Sequence, residues 1–171
     1  MLHWLINLLY SSTDAEFESR FSLEESVARL KRVTSRFAFC ALTCQRAVGP
    51  VRETRVSLQR VIPFVGNSFK PFFIGRFVLS NQQVKLTGRF TMSRFVRIFM
   101  SLWFGFCILL WIGMMVILIT RHSMNWWFPF TGLGMFCCGI ALVWTGKWFA
   151  RNDPAWLSEV IKSAFSEKIS G

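Results

Sequence analysis

The residues best suited to chemistry in this sequence are two cysteines and two histidines. Cys40 and Cys44 are separated by three residues, a spacing that could serve a metal site or a redox pair. Zinc needs about four ligands. Only His3 could join the cysteines, because the topology argued below places His122 on the other side of a membrane. A reducing cytoplasm disfavours a disulfide between them. We therefore expect no metal site and no cofactor.

Recognisable enzyme motifs are also missing from the sequence. It contains no phosphate-cradling glycine loop, no nucleophile elbow and no paired-carboxylate motif, and Glu53 is the one acid in the predicted strand region from 37 to 92. We expect no catalytic residues and a protein that is not an enzyme. A small lipid-active enzyme is the alternative, and it would have to depend on Glu53, Asp14 or His3.

The basic residues are the strongest signal for binding. Lys and Arg total 20 against 9 Asp and Glu, a net charge of +11. Such an excess of cations is suited to binding anionic lipid headgroups or an acidic partner. The same charges could instead form a solvent-exposed face of the domain and set the membrane topology. Nucleic acid is an unlikely partner because no recognisable nucleic-acid-binding fold accompanies the charge. The predicted contact residues are Arg52, Arg55, Lys85, Arg89, Arg94, Arg97, Lys147 and Arg151.

Two long apolar runs determine where these basic residues lie relative to a membrane. Residues 98–120 carry no charged side chain, and as a helix they would be ~34 Å long, enough to cross a bilayer core of ~30 Å. A second run at 126–148 has Pro129 in its first turn, where a missing N–H costs little. The linker 121–125 is so short that it permits only an antiparallel hairpin. With 53% hydrophobic residues, the chain is predicted to be a membrane protein.

Small residues recur along the second predicted span. Such ridges allow helices to approach closely. They could pack against the chain's own first span or mediate self-association. The residues are Gly134, Cys137, Cys138, Ala141 and Thr145.

Charge asymmetry predicts the orientation. Fifteen of the 20 Lys and Arg residues precede residue 99, whereas the linker contains only Arg121. The positive-inside rule then places both termini in the cytoplasm and the linker outside.

The region 21–97 is predicted to be a cytoplasmic α+β domain. Ser22 and Glu25 form a capping box that begins an amphipathic helix at 22–35. About four mostly antiparallel strands follow. Alternating residues predict strands at 54–58 and 84–92, and continuous apolar runs at 37–42 and 72–79 predict strands covered on both faces.

The two ends of the chain are predicted to lie outside that domain. Residues 1–20 are expected to be an apolar, interfacial segment, in which 1–10 form a short helix that either lies on the membrane or packs on the domain. In the segment 149–171, Asp153 as N-cap and Pro154 at the first helical position predict an amphipathic helix. This helix would lie in the membrane interface or pack on the strands.

The loop from 64 to 73 is rich in phenylalanine. Phe64, Phe69, Phe72 and Phe73 occur with a single lysine among them. They could pack in the core at the start of a strand, or form a hydrophobic contact loop for the membrane or a partner.

Three segments carry a resemblance to known proteins. They are Val-Ser-Leu-Gln-Arg at 56–60, Asn-Ser-Phe-Lys-Pro-Phe-Phe-Ile-Gly-Arg-Phe at 67–77 and Leu-Thr-Gly-Arg-Phe at 86–90. Followed by paired spans, they resemble a group of small uncharacterised bacterial inner-membrane proteins, over most of residues 20–145. The resemblance implies a strand-rich domain followed by a two-helix transmembrane hairpin, and it implies no activity.

Together these patterns predict a non-catalytic, membrane-anchored interaction protein, acting as a scaffold, accessory or assembly subunit. Its expected contacts are anionic lipids of the inner leaflet and a protein partner or a second copy of itself. The alternative is a ligand-sensing, membrane-perturbing or pore-forming effector that oligomerises through its hairpin.

Overall fold

The computed structural model describes residues 9–35, 45–63, 67–80, 83–120 and 127–166. Over these residues the chain is α+β, as predicted. The strands are β1 (Ser12–Ser19), β2 (Thr34–Ser35), β3 (Arg46–Val48), β4 (Val56–Val61), β5 (Pro71–Ser80) and β6 (Gln83–Met92). The helices are α1 (Leu23–Val33), α2 (Arg94–Thr120), α3 (Phe128–Phe149) and α4 (Asp153–Ser166).

The six strands form a mixed sheet in the order β1-β6-β5-β4-β3-β2. Every neighbouring pair is antiparallel except the short parallel pair β2–β3. The predicted count of about four strands is therefore wrong. Strand β1 lies within the segment 1–20 that was expected to be interfacial, while the strand predicted at 37–42 lies outside the described residues.

Helix α1 begins where the capping box predicted. The Ser22 hydroxyl oxygen accepts a hydrogen bond from the Glu25 backbone N–H at 3.3 Å. This bond satisfies one of the amide groups that the first turn of a helix leaves without a partner. Glu25 also pairs with Arg29 one turn later, at 2.8 Å.

Helices α1 and α4 cover one face of the sheet, which we call the inner face. Leu30 of α1 and both Leu157 and Ile161 of α4 are fully buried against the strands. The C-terminal helix therefore packs on the strand domain, which was one of its two predicted positions.

Phe73 of β5 lies at the centre of the core with no exposed surface. Its ring lies 5.7 Å from that of Phe17 and 5.2 Å from that of Phe90. The paired glycines Gly75 and Gly88 make room for it, since a Cβ atom on Gly88 would lie 2.8 Å from the ring.

The outer face of the sheet is open, which corrects the expectation that the strand at 72–79 is covered on both faces. On this face of β5, Phe72 and Ile74 are half-buried, whereas Arg76 and Val78 are exposed. The side chains of β5 alternate in the same way as those of β6, and helices cover only the inner face.

A buried ion pair fastens α4 to the sheet. Asp153, which is 2% exposed, accepts a hydrogen bond from the Arg60 guanidinium of β4 at 3.0 Å. The Asp153 carboxylate thus faces Arg60 at the start of α4. Lys70 lies close to both charges, and its own burial lowers its pKa. Trp156 of α4 stacks under Arg60 at 5.1 Å.

Helices α2 and α3 are long and apolar enough to cross a membrane, by length and composition. They pack on each other in antiparallel fashion. A Cβ atom on Gly132 would meet Trp111, and one on Gly139 would meet Phe104 at 2.9 Å. The two helices therefore approach closely along one glycine-bearing face of α3.

The sheet and the hairpin are joined at the C-terminal end of α3. The Asn67 side-chain amide donates a hydrogen bond to the Gly146 carbonyl at 2.8 Å, and the Phe69 ring occupies the space that a Cβ atom on Gly146 would need. Met92 at the end of β6 packs with Val96 and Met100 of α2 and with Val143 of α3. The domain is therefore packed directly against the base of the hairpin.

Candidate functional site

The most prominent feature outside the core is a basic hollow between the outer face of the sheet and the first turns of α2. Its volume is about 1080 Å³. We call it the arginine concavity, after the arginines of the loop before β4, of β5, of β6 and of α2 that line it: Arg55, Arg76, Arg89, Arg94 and Arg97. Among the described residues of its lining, the single carboxylate is that of Asp14 of β1.

Strand register explains why these arginines converge. Arg76 and Arg89 lie on adjacent antiparallel strands and both point to the outer face, since Arg76 pairs with Thr87 and Arg89 with Ile74. Strand β6 ends at Met92, and α2 begins two residues later with Arg94. The concavity is therefore continuous with the start of a candidate membrane span.

Four of its five arginines have no side-chain partner among the described residues. No ion pair joins Arg89 to Asp14, although the two residues are opposite each other in the β1–β6 register. The fifth, Arg97, lies over the Tyr10 ring at 5.4 Å, and its buried Nε has no hydrogen-bond partner in the described part of the chain. The guanidinium groups thus keep their capacity to bind an anion.

Lys85 lies on the same face but is already paired. Its Nζ lies 2.9 Å from carboxylate oxygens of both Glu16 and Glu18 on β1. The hydrogen bonds that the Lys85 ammonium donates to these carboxylates raise the pKa of Lys85, and the bond accepted by Glu18 lowers the pKa of Glu18. This pairing ties edge strand β1 to β6 and leaves Lys85 less free than the arginines to bind another anion.

The other predicted contact cations lie elsewhere. Arg52 lines a separate depression with Lys31. Lys147 and Arg151 line a small cavity of about 160 Å³ at the end of α3, where Lys147 donates a hydrogen bond to Ser11 at 2.8 Å and Arg151 lies over Trp148. The structure thus brings together Arg55, Arg89, Arg94 and Arg97 of the predicted set and separates the remainder.

Arg76 was not among the predicted contact residues, although it is central to the concavity. It stands in an apolar stretch that was interpreted as a strand covered on both faces. The signal that could have found it is the alternation Phe72, Ile74, Arg76, Val78, in which a cation shares one face with apolar residues.

The predicted phenylalanine contact loop is divided among three environments. Phe73 belongs to the core, Phe69 packs on the end of α3, and Phe72 lines the arginine concavity. Phe64 lies outside the described residues. The burial of Phe73 fits the alternative of core packing.

The small-residue ridge of α3 faces away from α2. Gly134, Cys137, Cys138, Ala141 and Thr145 are all exposed on the hairpin surface, and a Cβ atom on Gly134 would meet nothing within 4 Å. The face that contacts α2 instead carries Gly132, Gly139 and Val143. The ridge therefore does not mediate packing within the hairpin.

Metal-ligating residues are not clustered in the described part of the chain. No group of three or more His, Cys, Asp and Glu residues there could hold a metal ion. Cys40 and Cys44 lie outside the described residues, so the expectation about them stays a prediction.

Comparison with known proteins adds no family or fold relationship to this geometry. No protein-family model, no curated protein and no solved structure matches the chain, so conclusions about its function have to come from its own residues.

Proposed function

We propose that this chain is a non-catalytic, membrane-anchored interaction protein of the bacterial inner membrane. Its hairpin of α2 and α3 crosses the bilayer with both termini in the cytoplasm. The basic α+β domain is held at the inner leaflet, where the protein acts as a scaffold, accessory or assembly subunit for a protein partner or a second copy.

The observation that carries this proposal is the position of the arginine concavity. Arg94 and Arg97 stand in the first turn of α2, just before the run of 23 uncharged residues. Guanidinium groups bind phosphate oxygens in a bidentate manner, and each basic residue near an anionic membrane surface contributes ~1 kcal/mol of attraction. Arginines that form no ion pair with any described residue, at the base of a span, are therefore well placed to contact headgroups.

The junction between the domain and the hairpin supports the same proposal. The contacts of Asn67 and Phe69 with Gly146, together with the packing of Met92 on α2 and α3, restrain the domain relative to the hairpin. An anchor of this kind would hold the concavity in a constant orientation toward one leaflet. Headgroup binding would then cost little of the domain's orientational entropy.

An arginine-selective dicarbonyl reagent tests the proposal without any substitution. The full chain is placed in lipid nanodiscs that contain either zwitterionic lipid alone or a large fraction of anionic lipid, and modification is measured by mass spectrometry. We expect Arg55, Arg76 and Arg89 to react several-fold more slowly in the anionic discs, because headgroup phosphates cover their guanidinium groups.

Two exposed arginines outside the concavity, Arg32 and Arg46, serve as internal controls. Their reactivity should change little between the two kinds of disc. Equal reactivity of the concavity arginines in both lipids, relative to these controls, would contradict headgroup contact.

The exposed ridge of α3 favours a second candidate function. Because its small residues face away from α2, they are free to approach another copy of the hairpin, as a membrane-perturbing or pore-forming effector would require. Cells that overproduce the chain and keep a normal membrane potential would argue against this candidate.

A further inference from the structure

We propose that the arginine concavity is the headgroup half of a binding site for one class of bilayer lipid, an anionic phospholipid that carries two phosphates. The inference rests on the proposed function, since it requires the concavity to lie at the membrane surface. It goes further by assigning a discrete ligand site with a head and a tail portion.

The charge of the concavity exceeds what one phosphodiester can neutralise. Among the described residues, five arginines and one carboxylate line it, and a single phosphodiester brings one negative charge. A lipid with two phosphates balances the arginines better and offers two sets of oxygens for bidentate contact.

The size of the hollow leads to the same ligand class. Its volume of about 1080 Å³ lies just above the ~300–1,000 Å³ typical of pockets that hold an entire small ligand. Thr87 and Met92, which both line it, are five residues apart on β6, a distance of ~17 Å along a strand. Arginine side chains are long and flexible, so Arg94 at one end and Arg76 at the other could extend inward to two phosphates joined by a short linker.

A lipid is favoured over a soluble anion because an apolar track continues from the concavity along α2. Ile98, Gly105, Leu109 and Ile112 fall on the same helical face as Arg94. Ser101 interrupts this face near its start, where its hydroxyl is hydrogen-bonded to that of Tyr10 at 3.0 Å. Ile98 is 60% exposed and Leu109 is 70% exposed, and the space beside Gly105 is open. Acyl chains can lie along this track while the phosphates remain among the arginines.

The side walls of the concavity also suit a lipid. Phe72, Ile74 and Met92 line it together with the arginines, so apolar surface lies beside the charges where the glycerol portion of the ligand would sit. A site for free phosphate alone would gain nothing from these residues.

The test is native mass spectrometry of the full chain in detergent, with three lipids added in turn. These are cardiolipin with two phosphates, phosphatidylglycerol with one, and zwitterionic phosphatidylcholine. We expect cardiolipin to bind at least about tenfold more tightly than phosphatidylcholine, and measurably more tightly than phosphatidylglycerol.

The variant Arg76→Gln/Arg89→Gln removes two cations from the concavity and should weaken cardiolipin binding about tenfold to thirtyfold. The matched control Arg32→Gln/Arg46→Gln removes the same charge elsewhere and should leave binding within about twofold. Both variants change exposed side chains, and their unfolding midpoints in urea show whether the fold is retained.

Three results would overturn the inference. The first is equal loss of binding in the two variants, and the second is equal affinity for phosphatidylglycerol and cardiolipin. The third is complete displacement of cardiolipin by equimolar inorganic pyrophosphate, which would assign the site to a soluble anion. If one of these results were found but the concavity arginines were still protected in anionic nanodiscs, the proposed function would stand without the lipid site. If that protection were absent as well, both proposals would be rejected.

Discussion

Replacing Asp153 with alanine is expected to lower the free energy of unfolding of the strand domain by about 3–5 kcal/mol, the range for breaking one partner of a buried ion pair. The substitution removes the buried carboxylate that pairs with Arg60 and lies close to the buried Lys70. Urea-induced unfolding of the full chain in detergent micelles measures the change.

The control for Asp153→Ala is Glu159→Ala, which removes an exposed carboxylate from the same helix and should cost under ~0.5 kcal/mol. The loss of unfolding free energy in Asp153→Asn should fall between the losses in these two variants, because the amide retains an acceptor for Arg60 but loses the charge. An unfolding midpoint of Asp153→Ala equal to that of the parent chain would show that the ion pair does not fasten α4 to the sheet.

Replacing Phe73 with alanine is expected to cost about 3–5 kcal/mol as well, by a different mechanism. The ring is fully buried between Phe17 and Phe90 and covers the glycine pair Gly75 and Gly88. Its loss would leave a cavity that rigid strand backbone on both sides cannot close. The same urea titration measures this loss.

Phe72→Ala is the matched control for Phe73→Ala, because it removes the same side chain from the adjacent position on the outer face of β5. Phe72 is half-buried, so Phe72→Ala should lower the free energy of unfolding clearly less than Phe73→Ala does. If the two variants were equally stable, the assignment of inner and outer faces to β5 would be wrong.

Local sequence signals predicted the elements that depend on local chemistry. Ser22 and Glu25 mark the start of α1, and Asp153 and Pro154 mark the start of α4. Alternating residues identified β4 and β6 because one face of each is buried. For α1 the stabilising interaction lies within a few residues along the chain, whereas the Asp153 carboxylate at the start of α4 pairs with Arg60, which is distant in sequence.

Elements stabilised by distant residues were missed. Strand β1 contains one large apolar residue, Phe17, and its pairing with β6 is reinforced by Lys85, which binds both Glu16 and Glu18. Strands β2 and β3 are two and three residues long, so they lack any periodic pattern. Their pairing can be recognised only after the sheet is assembled.

The candidate site was predictable in composition but not in arrangement. Residue type identified arginines as anion-binding groups, yet only the register of β5 and β6 shows that Arg76 joins Arg89. The small-residue ridge shows the same limit, since the pattern of Cys137, Ala141 and Thr145 cannot reveal which face of α3 meets α2. Glycines seven residues apart, Gly132 and Gly139, occupy that contact instead.

In the proposed arrangement, α2 and α3 cross the membrane as a hairpin and hold the arginine concavity at one leaflet. Accessibility to an added protease, in sealed cells and after permeabilisation, shows whether they do. One cleavage site is inserted in the linker at 121–125 and another is placed after residue 171. The linker site should be cut in sealed cells and the C-terminal site only after permeabilisation. Cleavage of both sites from the same side of the membrane would show that the hairpin is not arranged in this way.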